Sequence, residues 1–342
     1  MDEIKTTAFA NNKERLPDPM RYERTRLHYR RAGNSGLKLP EISLGLWQNF
    51  GSLNNFENMR DMIFPAFDAG ITMFDLANNY GPRYGSAEEN FGKILRDNLS
   101  SYRDEMLIAT KAGYDMWEGP YGNGGSLKYL TASLDQSLKR MGLDYVDVFY
   151  HHRPDDETPI EETCFALWRA VASGKALYAG VSNYNAEQTA RAVSVMKELK
   201  CPLIVNQVRY NLFDRTVEKN GLKAYAEENG IGLTAFSPLA QGLLTDKYKN
   251  GVPEESRMKR AFTLREHDLT PSLLNKTEAL RGLASSRGQT LAEFALSWLL
   301  KDNCVSSVII GASSSKQILE NVSLNSAFTP EELEAIEKIC NA

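Results

Sequence analysis

Cysteine is scarce in this sequence: four in 342 residues, at 164, 201, 304 and 340, with no Cys-x-x-Cys among them. That spacing gives no sign of a zinc site or a disulfide framework, and it fits a reducing compartment. Long apolar runs are missing too; none approaches the roughly 18 residues that a membrane span needs. Positive charge is not in excess. The net charge is -4, which offers no nucleic-acid footprint, so any cations that hold a phosphate must be local. Residues 1–26 lack the apolar core of a signal peptide and the acid-poor bias of a transit sequence. They read as a flexible arm leading into a single domain over 27–342, in a cytoplasmic protein.

What is present is a regular beat. Two short strand-like pieces flank Gly33-Asn34-Ser35-Gly36, good hairpin-turn chemistry. From Glu41 onward apolar strands end near Trp47, Asp75, Lys111, His152, Ser182, Gln207, Phe236 and Gly311. Amphipathic patterns between them predict helices at 55–69, 86–98, 126–141, 159–172, 185–199, 217–229, 271–287 and 290–301. In the clearest, Ser126 caps the start and Gly142 closes the end. A last helix opens at Thr329-Pro330-Glu331-Glu332, with N-cap, N1 proline and capping glutamate. Strands alternating with helices in this number close most simply into a (β/α)₈ TIM barrel, here with an N-terminal β-hairpin and extra C-terminal helices. An open doubly wound sheet would carry Gly-x-Gly-x-x-Gly after its first strand. That position reads Gly45-Leu46-Trp47-Gln48-Asn49-Phe50, which does not fit.

A barrel puts its chemistry at the carboxyl ends of its strands. Those ends are polar: Asp75, Lys111, His152, Ser182, Asn183 and Gln207, with Tyr80 in the loop beyond Asp75. Singly, each has a bland explanation, as a turn cap, a loop tyrosine or a solvated strand end. Together they make one device. An ammonium beside a phenol lowers its pKa from near 10, and a carboxylate holds the ammonium in place. A neutral histidine supplies a second hydrogen bond to the same substrate oxygen. The device suits protonation of a carbonyl oxygen while hydride reaches its carbon. His151 should point the opposite way from His152, since side chains alternate along a strand.

From about residue 27 onward the chain resembles the aldo-keto reductases. The resemblance rests on Asp75-Leu-Ala-Asn-Asn-Tyr80-Gly, Thr110-Lys111, Tyr145 through His152, Gly180-Val-Ser-Asn183, Asn206-Gln207, Phe236-Ser-Pro-Leu-Ala and Gly311-Ala-Ser. It implies a catalytic tetrad of Asp75, Tyr80, Lys111 and His152. Within the family the chain is most similar to the branch that holds L-glyceraldehyde 3-phosphate reductases and potassium-channel β subunits. The channel subunits typically carry Asn at the position of His152, so the histidine favours a working reductase over the alternative, a slow redox-sensing subunit of a membrane channel or transporter.

The resemblance also implies NADPH bound extended across the barrel mouth. Ser182, Asn183 and Gln207 would meet the nicotinamide carboxamide, with Phe236 stacked on the ring and Asp75 and Trp47 alongside. Ser237, Pro238, Leu239, Gln241, Gly242, Lys247 and Arg257 would hold the diphosphate. Gly311, Ser313, Gln317, Glu320 and Asn321 would take the adenosine end. Many members place Lys at the Gly311 position and Arg at the Gln317 position, so use of NADH stays open, with Lys316 a possible substitute cation. A small aldehyde would bind among Trp47, Tyr80, Trp117, Tyr121 and His152, with His151 a further wall residue. Arg83 and Arg153 are the candidates for a substrate phosphate. The branch further implies a homo-oligomer, a tetramer or larger, with no nucleic-acid or membrane partner.

Overall fold

The computed structural model describes residues 16–248 and 269–341. A hairpin of β1 (Tyr29–Arg31) and β2 (Lys38–Pro40) comes first, paired antiparallel across the glycine turn. Then β3 (Ile42–Gly45), β4 (Met73–Asp75), β5 (Leu107–Ala112), β6 (Val146–His151), β7 (Ala176–Ser182), β8 (Leu203–Arg209), β9 (Gly232–Phe236) and β10 (Val305–Ile310) form a closed barrel. Neighbouring strands are parallel throughout, and β10 closes on β3. This is the (β/α)₈ TIM barrel.

Parallel strands bury both faces, and β6 does so at all six positions. Its odd residues pack under the helices; Val148 and Tyr150 point inward, with Met73, Ala109, Ile204 and Val205. Ala32 and Leu39 from the hairpin segment complete that inner core. Ser306 Oγ at the start of β10 donates to the carbonyl of Arg31 at 2.8 Å, so the hairpin plugs the end where the strands begin. The opposite end stays open.

Most expected helices form, with local differences. Leu127–Met141 has the Ser126 cap on the amide of Tyr129 and a left-handed Gly142 at its end. The Thr329 and Glu332 side chains and amides bond reciprocally. The helix expected over 217–229 is two pieces, Thr216–Lys219 and Leu222–Asn229, because Gly221 takes φ +78° between them. Ser86–Ile94 ends early and runs on as a wider turn over Leu95–Leu99. Residues 16–26, expected as part of a flexible arm, dock on the barrel. The guanidinium of Arg21 lies 4.7 to 5.1 Å from the rings of Tyr22, Phe67 and Tyr102 and pairs with Glu105. No helix among the described residues is long and apolar enough to cross a membrane.

Candidate active site

The polar strand ends converge at the open mouth. Lys111, inward-facing on β5 and fully buried, places Nζ 2.6 Å from Asp75 Oδ2 and 2.6 Å from the carbonyl of Leu76. The Tyr80 hydroxyl is 3.4 Å from the same Nζ. The other oxygen of Asp75 accepts from Gln207 Nε2 at 2.9 Å. Both carboxylate oxygens are therefore fixed, one by the ammonium and one by an amide from the far side of the barrel. The ring of His152 meets that of Tyr80 at 5.9 Å and that of Tyr114 at 4.7 Å, edge-on in both cases.

The electrostatics differ in one respect from the reading based on sequence. There, Lys111 was expected to lower the Tyr80 pKa. In the folded site burial pushes the phenol well above its usual 10, and the charge of Asp75 adds to this. Lys111 spends its short contacts on Asp75 and Leu76, leaving only the longer one for Tyr80. Burial also pulls Lys111 down, opposed by Asp75. His152 falls well below 6.5, through burial first and the positive charge of Lys111 second. The site thus presents a protonated phenol and a neutral imidazole, two groups able to donate to one oxygen.

The residues expected at the nicotinamide are brought together. Ser182 Oγ donates to the carbonyl of Gln207 at 2.9 Å. Asn183 Nδ2 reaches the His152 carbonyl at 3.0 Å and Ser182 Oγ at 3.1 Å. Phe236 is half-buried at the end of β9. In the loop after it, three non-glycine residues have positive φ: Ser237 (53°), Ala240 (46°) and Gln241 (58°). Such backbone is uncommon outside glycine and clusters at ligand sites. The loop is tightly wound, with the Ala240 amide donating to the Ser237 carbonyl at 3.0 Å and the Gly242 amide to the Leu239 carbonyl at 2.8 Å. Lys247 is exposed beyond it, while Arg257 lies outside the described residues. Gln317 Oε1 accepts from the amide of Ser313 at 2.9 Å. Asn58 Nδ2 donates to the Ser313 carbonyl at 3.1 Å, tying the 311–321 segment to the mouth. Gly311 and Glu320 are exposed, Glu320 lying 3.7 Å from Lys316, and Asn321 is buried. These residues fit an extended dinucleotide.

Of the wall residues, Trp47 is 45% exposed and stands 6.3 Å from the ring of Tyr80. Trp117 stacks on Tyr129 at 5.1 Å, and Tyr121 stands out from the loop under the ammonium of Lys128. His151 is not a wall residue. Strand alternation turns it outward, where Nδ1 meets the Tyr184 hydroxyl at 2.7 Å. Three contributors escaped sequence reasoning. The Leu76 carbonyl carries no side-chain signal. Tyr114 meets the edge of His152 only through the fold. Arg209, exposed, places Cζ 6.0 Å from the Phe236 ring centroid, and only its even spacing from Gln207 hinted at the mouth.

A closed parallel barrel with this tetrad at its mouth defines a carbonyl-reducing oxidoreductase. The profile of the Aldo/keto reductase family matches residues 41–341, and the chain belongs to that family. It is similar to L-glyceraldehyde 3-phosphate reductase of Escherichia coli O157:H7, 56% identical over 330 residues and 94% of each chain. The protein of the same name from strain K12 is 55% identical over the same span. A probable voltage-gated potassium channel subunit beta of Oryza sativa subsp. japonica is 38% identical over 92% of this chain and 96% of its own. The chain is an oxidoreductase.

Proposed function

We propose that this enzyme is an NADPH-dependent reductase of small aldehydes, with L-glyceraldehyde 3-phosphate and methylglyoxal among its substrates. The observation that carries it is the fixed ion pair of Lys111 and Asp75 beneath a protonated Tyr80, with neutral His152 across from it. Similarity to the E. coli reductases supports the substrate.

A dinucleotide held at these residues would supply hydride for the carbonyl carbon. Tyr80 gives its proton to the carbonyl oxygen, and His152 donates a hydrogen bond to that oxygen. Lys111 sets positive charge beside the phenol as it loses its proton, and Asp75 and the Leu76 carbonyl hold Lys111 still. Gln207 fixes Asp75. Ser182, Asn183 and Phe236 would seat the nicotinamide, and the Ser237–Gly242 backbone with Lys247 and Arg257 the diphosphate. Gly311, Ser313, Gln317, Glu320 and Asn321 would line the adenosine end, with Trp47 and Trp117 beside the aldehyde. A slowly turning redox sensor is not favoured, because the tetrad is complete. The working protein in this reading is a cytoplasmic homo-oligomer.

The test is initial-rate oxidation of NADPH and of NADH with each aldehyde. Higher kcat/KM with NADPH, and turnover of both aldehydes, are the expected results. Equal use of NADH would withdraw the cofactor preference, and failure on both aldehydes would withdraw the substrate class.

A further inference from the structure

A small phosphorylated aldehyde brings two negative charges that need a cation near the reacting carbonyl. Besides Lys111, four cations among the described residues are candidates. Arg83 is engaged, paired with Glu89 on the surface. Lys128 lies over Tyr121 at the outer tip of the loop. Arg209 stands by Phe236, on the side of the mouth read above as the cofactor's. Arg153 differs from all three.

It directly follows His152 and is half-buried. Its Nε donates to the Gly113 carbonyl at 3.0 Å, and its Cζ lies 4.9 Å from the centroid of the Tyr114 ring. Tyr114 in turn abuts His152 at 4.7 Å. The guanidinium is thus braced on one edge and one face. No carboxylate lies within ion-pair distance of it among the described residues, although Asp155 and Asp156 are close in sequence. Asp155 is turned elsewhere, accepting from the Gly125 amide at 2.7 Å and from Thr158 at 2.5 Å. That arrangement also fills the glycine-rich loop before Leu127–Met141 with a carboxylate. Glu162 takes the Leu127 amide at 2.9 Å. The start of Leu127–Met141 is thus occupied by the chain's own anions.

We propose that Arg153 is the specificity-determining residue for a phosphorylated aldehyde, its two terminal nitrogens forming the anchor for the substrate phosphate beside His152. This rests on the aldehyde-reductase reading above and names the feature of the substrate that the site selects. An arginine fork fits a phosphate in bidentate fashion, which a lysine does not reproduce. Pre-bracing by Gly113 and Tyr114 reduces the freedom lost on binding.

The experiment compares L-glyceraldehyde 3-phosphate with unphosphorylated L-glyceraldehyde, in the wild type, Arg153→Gln, Arg153→Lys and Arg83→Gln. The ratio of kcat/KM between the two aldehydes should fall roughly ten- to hundredfold in Arg153→Gln, the size of a charge-assisted hydrogen bond, mainly through KM. Arg153→Lys should recover part of it. Arg83→Gln should leave the ratio where it was. A ratio that stays constant in Arg153→Gln, whether both rates fall or neither does, overturns the assignment and leaves Arg153 a brace for the loop. A wild type that reduces neither aldehyde overturns the reductase reading, and the anchor with it.

Discussion

At the scale of single residues, the chemistry depends on which protons are held. Tyr80 is pushed up by burial and Asp75, so it stays a phenol through neutral pH. His152, pushed down by burial and Lys111, stays neutral over the same range. In the proposed reaction reduction needs the proton on Tyr80, so its rate should be flat through neutrality and fall only as pH rises toward the alkaline Tyr80 pKa. Oxidation of the alcohol needs the phenolate and should rise over the same alkaline interval. Rate profiles in both directions check this; a reduction rate that already halves between about pH 7 and about pH 8 would contradict it. The identity of these residues was legible in the sequence, because polar groups at the ends of apolar strands mark a barrel mouth. The sign of the Tyr80 shift was not. It depends on how much water the folded mouth excludes and on where Lys111 spends its short bonds, neither of which a spacing encodes.

At the scale of elements, β6 shows how alternation sorts adjacent residues to different tasks. His152 turns to the mouth, while His151 turns to the helices and bonds Tyr184. Burial lowers the His151 pKa to about 4. Between that value and the unfolded value near 6.5, the unfolded chain binds a proton that the folded chain does not, so stability falls as pH drops through this window. From about pH 7 to about pH 5 the loss traced to His151 is roughly 2 kcal/mol. Urea titrations at both pH values should show it on top of the same-sign contribution of His152, and His151→Gln should lessen the slope without abolishing it; an unchanged slope in the variant would remove His151 as a cause. The outward turn of His151 could be read from period-two alternation, and the strand and helix order from apolar runs separated by amphipathic stretches. The break at Gly221 could not, since a single glycine inside a periodic pattern marks a weak point without saying whether the helix stops there.

At the scale of the whole molecule, the hairpin closes one end of the barrel and leaves the other open; the sequence pointed to the hairpin, while the end it covers emerged only from the fold. Long-range docking was harder to see. Arg21 stands in the stretch read as a flexible arm, yet it lies against Phe67 and Tyr102, rings that only the folded chain brings to it. The same limit applies to the proposed phosphate anchor, where Arg83 and Arg153 are equivalent in sequence until Glu89 claims the first. The central claim is that the converged tetrad reduces aldehydes with Tyr80 as proton donor. The measurement that tests it most directly is kcat for NADPH-driven aldehyde reduction in Tyr80→Phe beside the wild type, with NADPH binding followed by fluorescence in both. The account predicts a fall of about 10² to 10⁴ in kcat with the cofactor still bound. Wild-type turnover in the variant would contradict it.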